Sequence, residues 1–306
     1  MLQYIQRRLI AALVTLFGVS IIVFLMLHLL PGDPARVIAG LMATDQDVAR
    51  IRSQLGLDQP LLVQYLTFAG NLLQGNLGIS ARTSEPVLKE VLTRLPATVQ
   101  LAVVSTALAA LIGIISGVIA AVRRNSLLDY TISALTLFGM SMPVYWLGLM
   151  LIILFAVQLQ LLPAAGNDSP TSIILPTLTL TAFSVALIAR MTRASMLEVL
   201  HQDYIRTGRA KGLGEAHVLL RHALKNAFIP VITVVGLQFG TLLGGAVLTE
   251  SIFGWPGIGL LLVDSIFSRD YPMVQGIVLV FATLFIALNL FVDLLYAYID
   301  PRIHYT

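Results

Sequence analysis

The sequence predicts an all-α polytopic membrane protein with six transmembrane helices, an external helical segment after the first span and a cytoplasmic helical loop between spans four and five. Of the 306 residues, 57% are hydrophobic and only 11% are charged, whereas soluble domains carry about 25% charged residues. Long apolar stretches recur along the chain. Because an open strand in lipid leaves backbone polar groups unpaired, each stretch is predicted to be helical.

Six apolar stretches are long enough to cross a bilayer. The first, 9–30, reaches about 33 Å as a helix, which is longer than the apolar region of a signal peptide, so it is interpreted as an uncleaved span. Apart from Asp293, none of the six contains Asp, Glu, Lys or Arg. The predicted spans are 9–30, 99–122, 131–157, 173–189, 228–249 and 273–295.

Basic residues predict which side of the membrane each loop occupies. With six spans both termini share one side, and twelve of the nineteen Lys and Arg residues fall there. Cytoplasmic loops carry the excess of Lys and Arg, so both termini and the loop 197–226 are expected in the cytoplasm. The predicted organisation is a first span at 1–30, an external segment at 31–98 and a transmembrane domain with spans two to six at 99–306.

The external segment 31–98 contains two predicted helices. An amphipathic pattern covers 45–55, and Leu61–Leu73 is a second candidate, with Gly56 as the stop of the first helix and Pro60 as the start of the second. The sequence leaves two interpretations open. The segment is either a structured cap of no special function or a docking surface for a partner that delivers substrate.

The loop 197–226 is predicted to turn a sharp corner. A helix is expected to continue from the fourth span to Lys211, break between Gly212 and Gly214, and resume as a short helix at 215–227. A basic loop held near anionic lipid needs only charge. Two glycines and an apolar helix instead favour a protein partner with a groove. The apolar residues are Leu213, Val218, Leu219 and Leu220.

Two glycine pairs have the spacing of close helix packing. Gly113 and Gly117 lie in the second predicted span, and Gly236 and Gly240 lie in the fifth. Small residues at this spacing let helices approach closely. Packing within the chain is favoured over a contact between subunits.

The sequence lacks the motifs of common catalytic and cofactor sites. No Gly-Lys dipeptide occurs, so there is no phosphate-binding loop of the usual kind, and no His-Glu-x-x-His or Gly-x-Ser-x-Gly motif is present. Cysteine is absent, and His217 and His222 are spaced five apart, which is poor for one metal on one helix face. We expect no catalytic residue, cofactor or metal, and a net charge of +3 gives no reason to expect nucleic acid.

Ionisable groups are almost missing from the spans, which disfavours a proton- or sodium-coupled carrier. Asp293 is expected to pair with Arg190 or Arg193, and Glu250 is expected at the outer end of the fifth span. The third span is interrupted by Pro143, which frees a backbone carbonyl that can line a cavity. Candidates for a translocation path, against the alternative of an ordinary kink, are Met140, Ser141, Met142, Pro143, Tyr145 and Trp146.

The segment 203–213 reads Asp-Tyr-Ile-Arg-Thr-Gly-Arg-Ala-Lys-Gly-Leu. It resembles the cytoplasmic coupling loop of binding-protein-dependent ABC importer permeases, in the variant of dipeptide, oligopeptide, glutathione and nickel systems, where Arg-Thr-Ala-Arg-Ala-Lys-Gly is usual. Gly212 takes the place of the family glycine. Gly208 replaces the usual alanine, and Arg206 stands where the general motif has glutamate.

Further stretches carry the same resemblance over nearly the whole chain, to the B-type permease of these systems. The most distinctive is Glu-Ser-Ile-Phe-Gly-Trp-Pro-Gly-Ile-Gly at 250–259. The others are 1–9, 29–34, 55–60, 75–80, 221–227 and 269–272.

The resemblance implies a transport complex in the lipid bilayer of the bacterial plasma (inner) membrane. Its expected partners are a second permease subunit, two ATPase subunits that bind the ATP, and an extracytoplasmic substrate-binding protein, with no nucleic acid. Peptides (dipeptide, oligopeptide or glutathione) are the expected cargo, with nickel as the alternative and a stand-alone secondary carrier as the less favoured class. The residues implied for coupling to the ATPases are Arg206, Thr207, Gly208, Ala210, Lys211, Gly212, Leu213 and Glu215.

Overall fold

In the computed structural model the protein is described over residues 2–29, 35–36, 43–54 and 56–299. These ranges are helical apart from short connections. The π-helical stretches π1 (Ile152–Gln158) and π2 (Val218–Leu224) continue α6 and α9, respectively. The helices are α1 (Leu2–Leu29), α2 (Asp45–Gln54), α3 (Leu61–Leu73), α4 (Val87–Val122), α5 (Leu127–Ser141), α6 (Val144–Leu151), α7 (Ile174–Leu200), α8 (Asp203–Ala210), α9 (Glu215–His217), α10 (Lys225–Gly245), α11 (Val247–Ile252), α12 (Ile258–Phe267) and α13 (Tyr271–Ile299).

Within the described ranges, five helices are long and apolar enough to cross a membrane, or six if one bent pair counts as a span. The bent pair is α5 with Val144–Gln158, whose axes differ by 101°. The interruption that the sequence predicts at Pro143 in the third span, 131–157, is therefore confirmed. Pro143 lacks an amide donor and disfavours helical geometry at the residue before it, and Met142 is extended with ψ 131°. The multi-pass helical architecture itself is confirmed.

Two predicted helix boundaries in the loop 197–226 are wrong. α7 ends at Leu200 and a separate helix, α8, begins at Asp203, so the predicted continuous helix to Lys211 is broken earlier. The predicted short helix 215–227 is instead the start of the fifth span, because π2 joins α9 to α10 without a gap. A π-helical turn accommodates one extra residue without ending the helix. The corner between Gly212 and Gly214 is confirmed.

The second span also begins earlier than predicted. α4 starts at Val87 rather than at residue 99, and it passes through Pro96. Apolar composition marks only the part of a helix that lies in hydrocarbon, whereas backbone hydrogen bonds allow the helix to extend beyond it. Lys89 and Arg94 occupy this extension.

Close helix packing within the chain is confirmed at both glycine pairs. A Cβ atom at Gly113 would lie 2.8 Å from the Cβ of Ile188, and Gly117 approaches α7 equally closely. Gly236 and Gly240 approach α13 in the same way. Glycine at these positions lets α4 pack on α7 and α10 pack on α13 at distances that a side chain would prevent.

The bundle has two ends, which we name by what they carry. The loop end carries the 201–217 connection, and the cap end carries the connections 74–86 and 253–270. Each end is held by its own apolar cluster. The loop-end cluster contains Ala121, Met196, Ile205, Val218, Ala223 and Ala227, and the cap-end cluster contains Val87, Val91, Ile258, Leu261, Met273 and Ile277.

A buried carboxylate ties the cap end together. Glu250 lies in α11 and is fully buried. It accepts hydrogen bonds from the Thr98 hydroxyl at 2.7 Å and from the backbone amides of Gly259 at 2.7 Å and Leu260 at 3.1 Å. The last two amides belong to the first turn of α12, where a negative charge is favourable. Glu250 thus joins α4, α11 and α12.

The two predicted helices of the segment 31–98 are present. α3 has the predicted bounds, and α2 covers Asp45–Gln54 of the predicted 45–55, with Leu55 outside the described residues. Gly56 adopts φ +66° and Pro60 precedes α3, as the turn between them requires. At the start of α2, Thr44 and Asp47 form reciprocal hydrogen bonds, and the bond from the Thr44 hydroxyl lowers the pKa of Asp47.

Candidate functional site

The corner of the loop is built by a glycine in a left-handed conformation. Gly212 has φ +78°, a left-handed conformation that glycine adopts readily and that the predicted corner uses. Its amide donates to the carbonyl of Arg209 at 2.9 Å, and the amide of Leu213 donates to the carbonyl of Gly208 at 3.3 Å. These two bonds form a Schellman motif, which satisfies the last carbonyls of α8 and fixes the exit direction of the chain.

An apolar contact accompanies the corner. Leu213 lies over Gly208, because a Cβ atom at that glycine would be 3.7 Å from the Cδ1 of Leu213 and 3.9 Å from the Cγ2 of Val218. Schellman motifs often carry such a contact between the residue after the turn and the last helical turn. The side chain of Leu213 is therefore held against α8 while 39% of the residue stays exposed.

The loop is anchored to the bundle through Ile205. This residue of α8 is fully buried and packs in one cluster with Met196 of α7 and Val218 of π2. The sequence interpretation missed Ile205, whose signal was one large apolar residue in an otherwise polar segment. It also placed Val218 on the surface, which is wrong, since Val218 is fully buried. α8 is therefore packed against the ends of α7 and π2.

An ion pair bridges the corner. The Arg209 guanidinium donates to both carboxylate oxygens of Glu215, at 3.1 and 2.6 Å. The hydrogen bond from Arg209 to Glu215 raises the pKa of Arg209 above its usual value. Glu215 was among the predicted coupling residues, whereas Arg209 was missed. Opposite charges on the two sides of the glycines, six residues apart, were the available signal.

The remaining predicted coupling residues form the outer surface of this corner. Gly208 is half-buried beneath Leu213, and the others are exposed. The site also presents Tyr204, which the sequence interpretation did not single out and which is exposed. The result is an exposed corner, which we call the knob, with basic and apolar side chains of the kind that a groove on a partner protein can bind. Its exposed predicted members are Arg206, Thr207, Ala210, Lys211, Gly212, Leu213 and Glu215.

The candidate path residues cluster at the 101° bend. Pro143 caps α6, and the Ser141 hydroxyl donates to the Leu137 carbonyl at 2.9 Å. Tyr145 and Trp146 are exposed on the surface of the single chain. The structure thus brings these residues to one place, and their role in translocation stays a prediction. The whole set is Met140, Ser141, Met142, Pro143, Tyr145 and Trp146.

An ion pair near the loop end was not foreseen. Arg193 of α7 pairs with Asp129 at the start of α5. The sequence interpretation instead assigned Arg190 or Arg193 to Asp293, whose side chain lies outside the described residues. Arg190 is exposed on α7.

The fold has a counterpart among solved structures. The structure of the MetNI methionine ABC transporter in inward-facing conformations matches with a TM-score of 0.58, covering 71% of this chain and 100% of that chain at 20% identity. At that identity the likeness concerns the fold alone. This chain therefore shares its fold with a chain of that transporter.

The sequence comparisons then assign the family. The profile for "Binding-protein-dependent transport system inner membrane component" matches residues 113–305, and the profile for the corresponding N-terminal region matches residues 1–102. The chain belongs to this family of binding-protein-dependent transport system membrane components. It is a multi-pass membrane protein and a permease subunit of an ABC importer.

Two curated relatives match over their full lengths. The dipeptide transport system permease protein DppB of Alkalihalophilus pseudofirmus is 46% identical over an alignment of 333 positions. The glutathione transport system permease protein GsiC of Escherichia coli O6:H1 is 49% identical over 305. Each alignment covers 100% of this chain and of the relative. The resemblance to the B-type permease stated from the motifs is confirmed.

Proposed function

We propose that this permease subunit forms half of the translocation path for peptides, with dipeptides, oligopeptides or glutathione as the cargo class. One observation carries the substrate assignment: identity of 46–49% over the full chain with permeases named for dipeptide and for glutathione transport. Both alignments cover the whole chain, so the regions that they compare include every span and loop. Nickel has less support, because neither of these relatives is named for it.

We propose further that the chain works in a complex with a second permease subunit, two ATPase subunits and an extracytoplasmic substrate-binding protein. ATP is bound by the partner ATPases, and this chain contributes no cofactor or metal site. Both termini and the loop 197–226 face the cytoplasm, and the segment 31–98 faces outward. The excess of basic residues at the loop end supports this orientation in a bacterial plasma (inner) membrane.

The proposed mechanism is alternating access driven through the corner at Gly212. ATP closes the ATPases, and their motion is transmitted by the knob that carries Arg206 and Leu213. The fixed exit direction at Gly212 and the buried anchor Ile205 support this role, because a lever must keep its angle to the element that it moves. The spans open outward to accept substrate from the binding protein, and hydrolysis returns them inward. The bend at Pro143 is proposed to line the translocation path.

The test is uptake by the complete complex reconstituted in vesicles with ATP inside. Labelled dipeptide, glutathione and Ni²⁺ are offered with the binding protein, each in turn. We expect ATP-dependent accumulation of at least one peptide and none of Ni²⁺. Uptake of Ni²⁺ alone would replace the cargo assignment, and uptake by this chain without the ATPases would indicate a secondary carrier. The chain purified alone is expected to hydrolyse no ATP.

A further inference from the structure

Helix α3, between the first two spans, carries an apolar stripe that nothing in the described chain covers. Leu62, Leu66 and Leu73 are spaced i, i+4 and i+11, so they share one face of the helix. They are 69%, 60% and 90% exposed, and no residue of α3 is buried. A soluble surface rarely presents so continuous an apolar face.

Tyr65 shows the depth at which α3 lies. Its hydroxyl hydrogen bonds with the Ser20 hydroxyl of α1 at 2.9 Å, and its ring packs edge-on against Phe17, with ring centroids 6.2 Å apart. Both α1 residues belong to the apolar span Ile5–Met26. Ser20 lies about 9 Å inside the end of that span, at 1.5 Å per residue. α3 therefore runs beside a membrane-spanning segment, and its tyrosine reaches into the apolar layer.

The order of contacts along α1 shows which way the leucine stripe faces. Adjacent residues of a helix are turned by about 100°, so Gln64, Phe68 and Tyr65 follow one another around α3 at intervals of about 40–60°. Their partners descend α1 from its end toward its middle. The contacts are Gln64 with His28, Phe68 with Phe24, and Tyr65 with Ser20.

A further rotation of about 60–100° around α3 from Tyr65, in the same sense, leads to the stripe of Leu62, Leu66 and Leu73. The stripe therefore faces away from α1 and toward the middle of the bilayer. Thr67 and Asn71 lie on the opposite side of the helix, beyond Gln64, and face away from the apolar layer. The apolar and polar faces of α3 are thus oriented as an interfacial helix requires.

We propose that α3 is an interfacial helix whose stripe of Leu62, Leu66 and Leu73 is immersed in the acyl chains of the leaflet at the cap end. α1 also exposes apolar side chains at Phe17 and Ile22, and Phe17 contacts Tyr65 of α3. Lipid, rather than the substrate-binding protein, is therefore its occupant. This inference goes beyond the proposed function and is independent of the cargo.

The test uses single cysteines, since the natural chain has none. Leu62→Cys and Leu66→Cys probe the stripe, and Thr67→Cys and Asn71→Cys are matched controls on the polar face of the same helix. Each variant is assembled with cysteine-free partners in lipid nanodiscs and reacted with a water-soluble maleimide. We expect the stripe positions to react at least about tenfold more slowly than the controls. A cysteine buried in the acyl chains meets the water-soluble reagent only in a minor conformation, which is populated at about 10% or less.

A second measurement identifies what covers the stripe. A bimane fluorophore at Leu66→Cys should be quenched by lipids that carry a nitroxide on the acyl chain, and one at Thr67→Cys should not. Equal maleimide rates on both faces would overturn the proposal. A slow reaction at Leu66→Cys without quenching by the nitroxide lipids would also overturn it. So would a slow reaction that appears only when binding protein is added. Leu62→Cys replaces Leu66→Cys if the latter fails to assemble. ATP-dependent uptake is measured on each variant separately, so a failed transport assay is distinguishable from a failed lipid assignment.

Discussion

Arg193 holds Asp129 in a two-pronged ion pair, with its Nε and one terminal nitrogen donating to the two carboxylate oxygens at 2.7 and 2.8 Å. The Asp129 carboxylate also accepts from the Asn125 amide at 3.0 Å. The Asp129 side chain is 3% exposed and that of Arg193 is 31% exposed. The pair fastens α5, the first arm of the bent third span, to α7, which leads into the loop with the Gly212 corner.

Asp129→Asn should destabilise the subunit. The amide keeps the shape of the carboxylate but leaves the guanidinium without a counter-charge. Removing one partner of a buried pair costs about 3–5 kcal/mol, and the partial exposure of Arg193 places the expected loss at about 3 kcal/mol or less. Thermal unfolding of the assembled complex in detergent measures it.

The control for this variant is Glu85→Gln, which removes the exposed ion pair with Lys89. An exposed pair contributes less than about 1 kcal/mol, so the melting temperature should hardly change. Equal effects of the two substitutions would mean that the Asp129–Arg193 pair is no more important than a surface contact.

Gly212→Ala should impair coupling, and Gly214→Ala should not. Gly212 has φ +78°, where a side chain costs about 1–2 kcal/mol, whereas Gly214 has φ −57°, which any residue adopts. A Cβ meets no atom within 4 Å at either glycine, so backbone strain is the only difference tested. Binding-protein-stimulated ATPase activity and uptake should fall for Gly212→Ala, further for Gly212→Val, and stay near wild type for Gly214→Ala. The same result for both alanine variants would contradict the role of the corner.

Gly208→Ala should stabilise the loop. Alanine is favoured over glycine in a helix by about 1 kcal/mol, and its methyl group would meet Leu213 and Val218 at 3.7 and 3.9 Å, which are ordinary contact distances. We expect slower amide hydrogen exchange across α8 with uptake preserved. Faster exchange would show that the glycine is required for a conformation that this structure does not display.

The corner could be predicted because its cause is local. Gly212 sits between a charged helix end and an apolar segment, and both its positive φ and the bounds of α3 follow from turn residues close in sequence. The identity of the loop came from a contiguous motif. No information from distant parts of the chain was needed for these features.

The missed features depend on contacts between distant residues. The break before α8 has no glycine or proline at His201 or Gln202, and it is accompanied by burial of Ile205 against Met196 and Val218. The Asp129–Arg193 pair spans 64 residues. Pro143 indicated an interruption, but the 101° angle depends on what α6 packs against.

Single cysteines should establish the orientation. Ser53 is exposed near the end of α2 in the segment 31–98, and His217 is exposed beside the Gly212 corner. In intact cells, Ser53→Cys should react with an impermeant maleimide, whereas His217→Cys should react only after the membrane is opened. The distribution of basic residues is the physical reason. The reverse pattern would invert the proposed topology.

Leu213→Asp distinguishes a protein groove from a lipid surface as the partner of the loop. Leu213 is held over Gly208 and is the apolar residue next to the corner, and the substitution leaves all the basic residues in place. If the loop is held by anionic lipid, one added acid among several bases should change uptake only slightly. If Leu213 fills a groove on an ATPase, burying a carboxylate there is strongly unfavourable. We therefore expect the subunit to insert and to pair with its permease partner, while the ATPases dissociate or hydrolyse ATP without responding to loaded binding protein.

Leu213→Met, which keeps an apolar side chain of similar volume, should retain most activity. Wild-type uptake by Leu213→Asp in vesicles would exclude this loop as the lever.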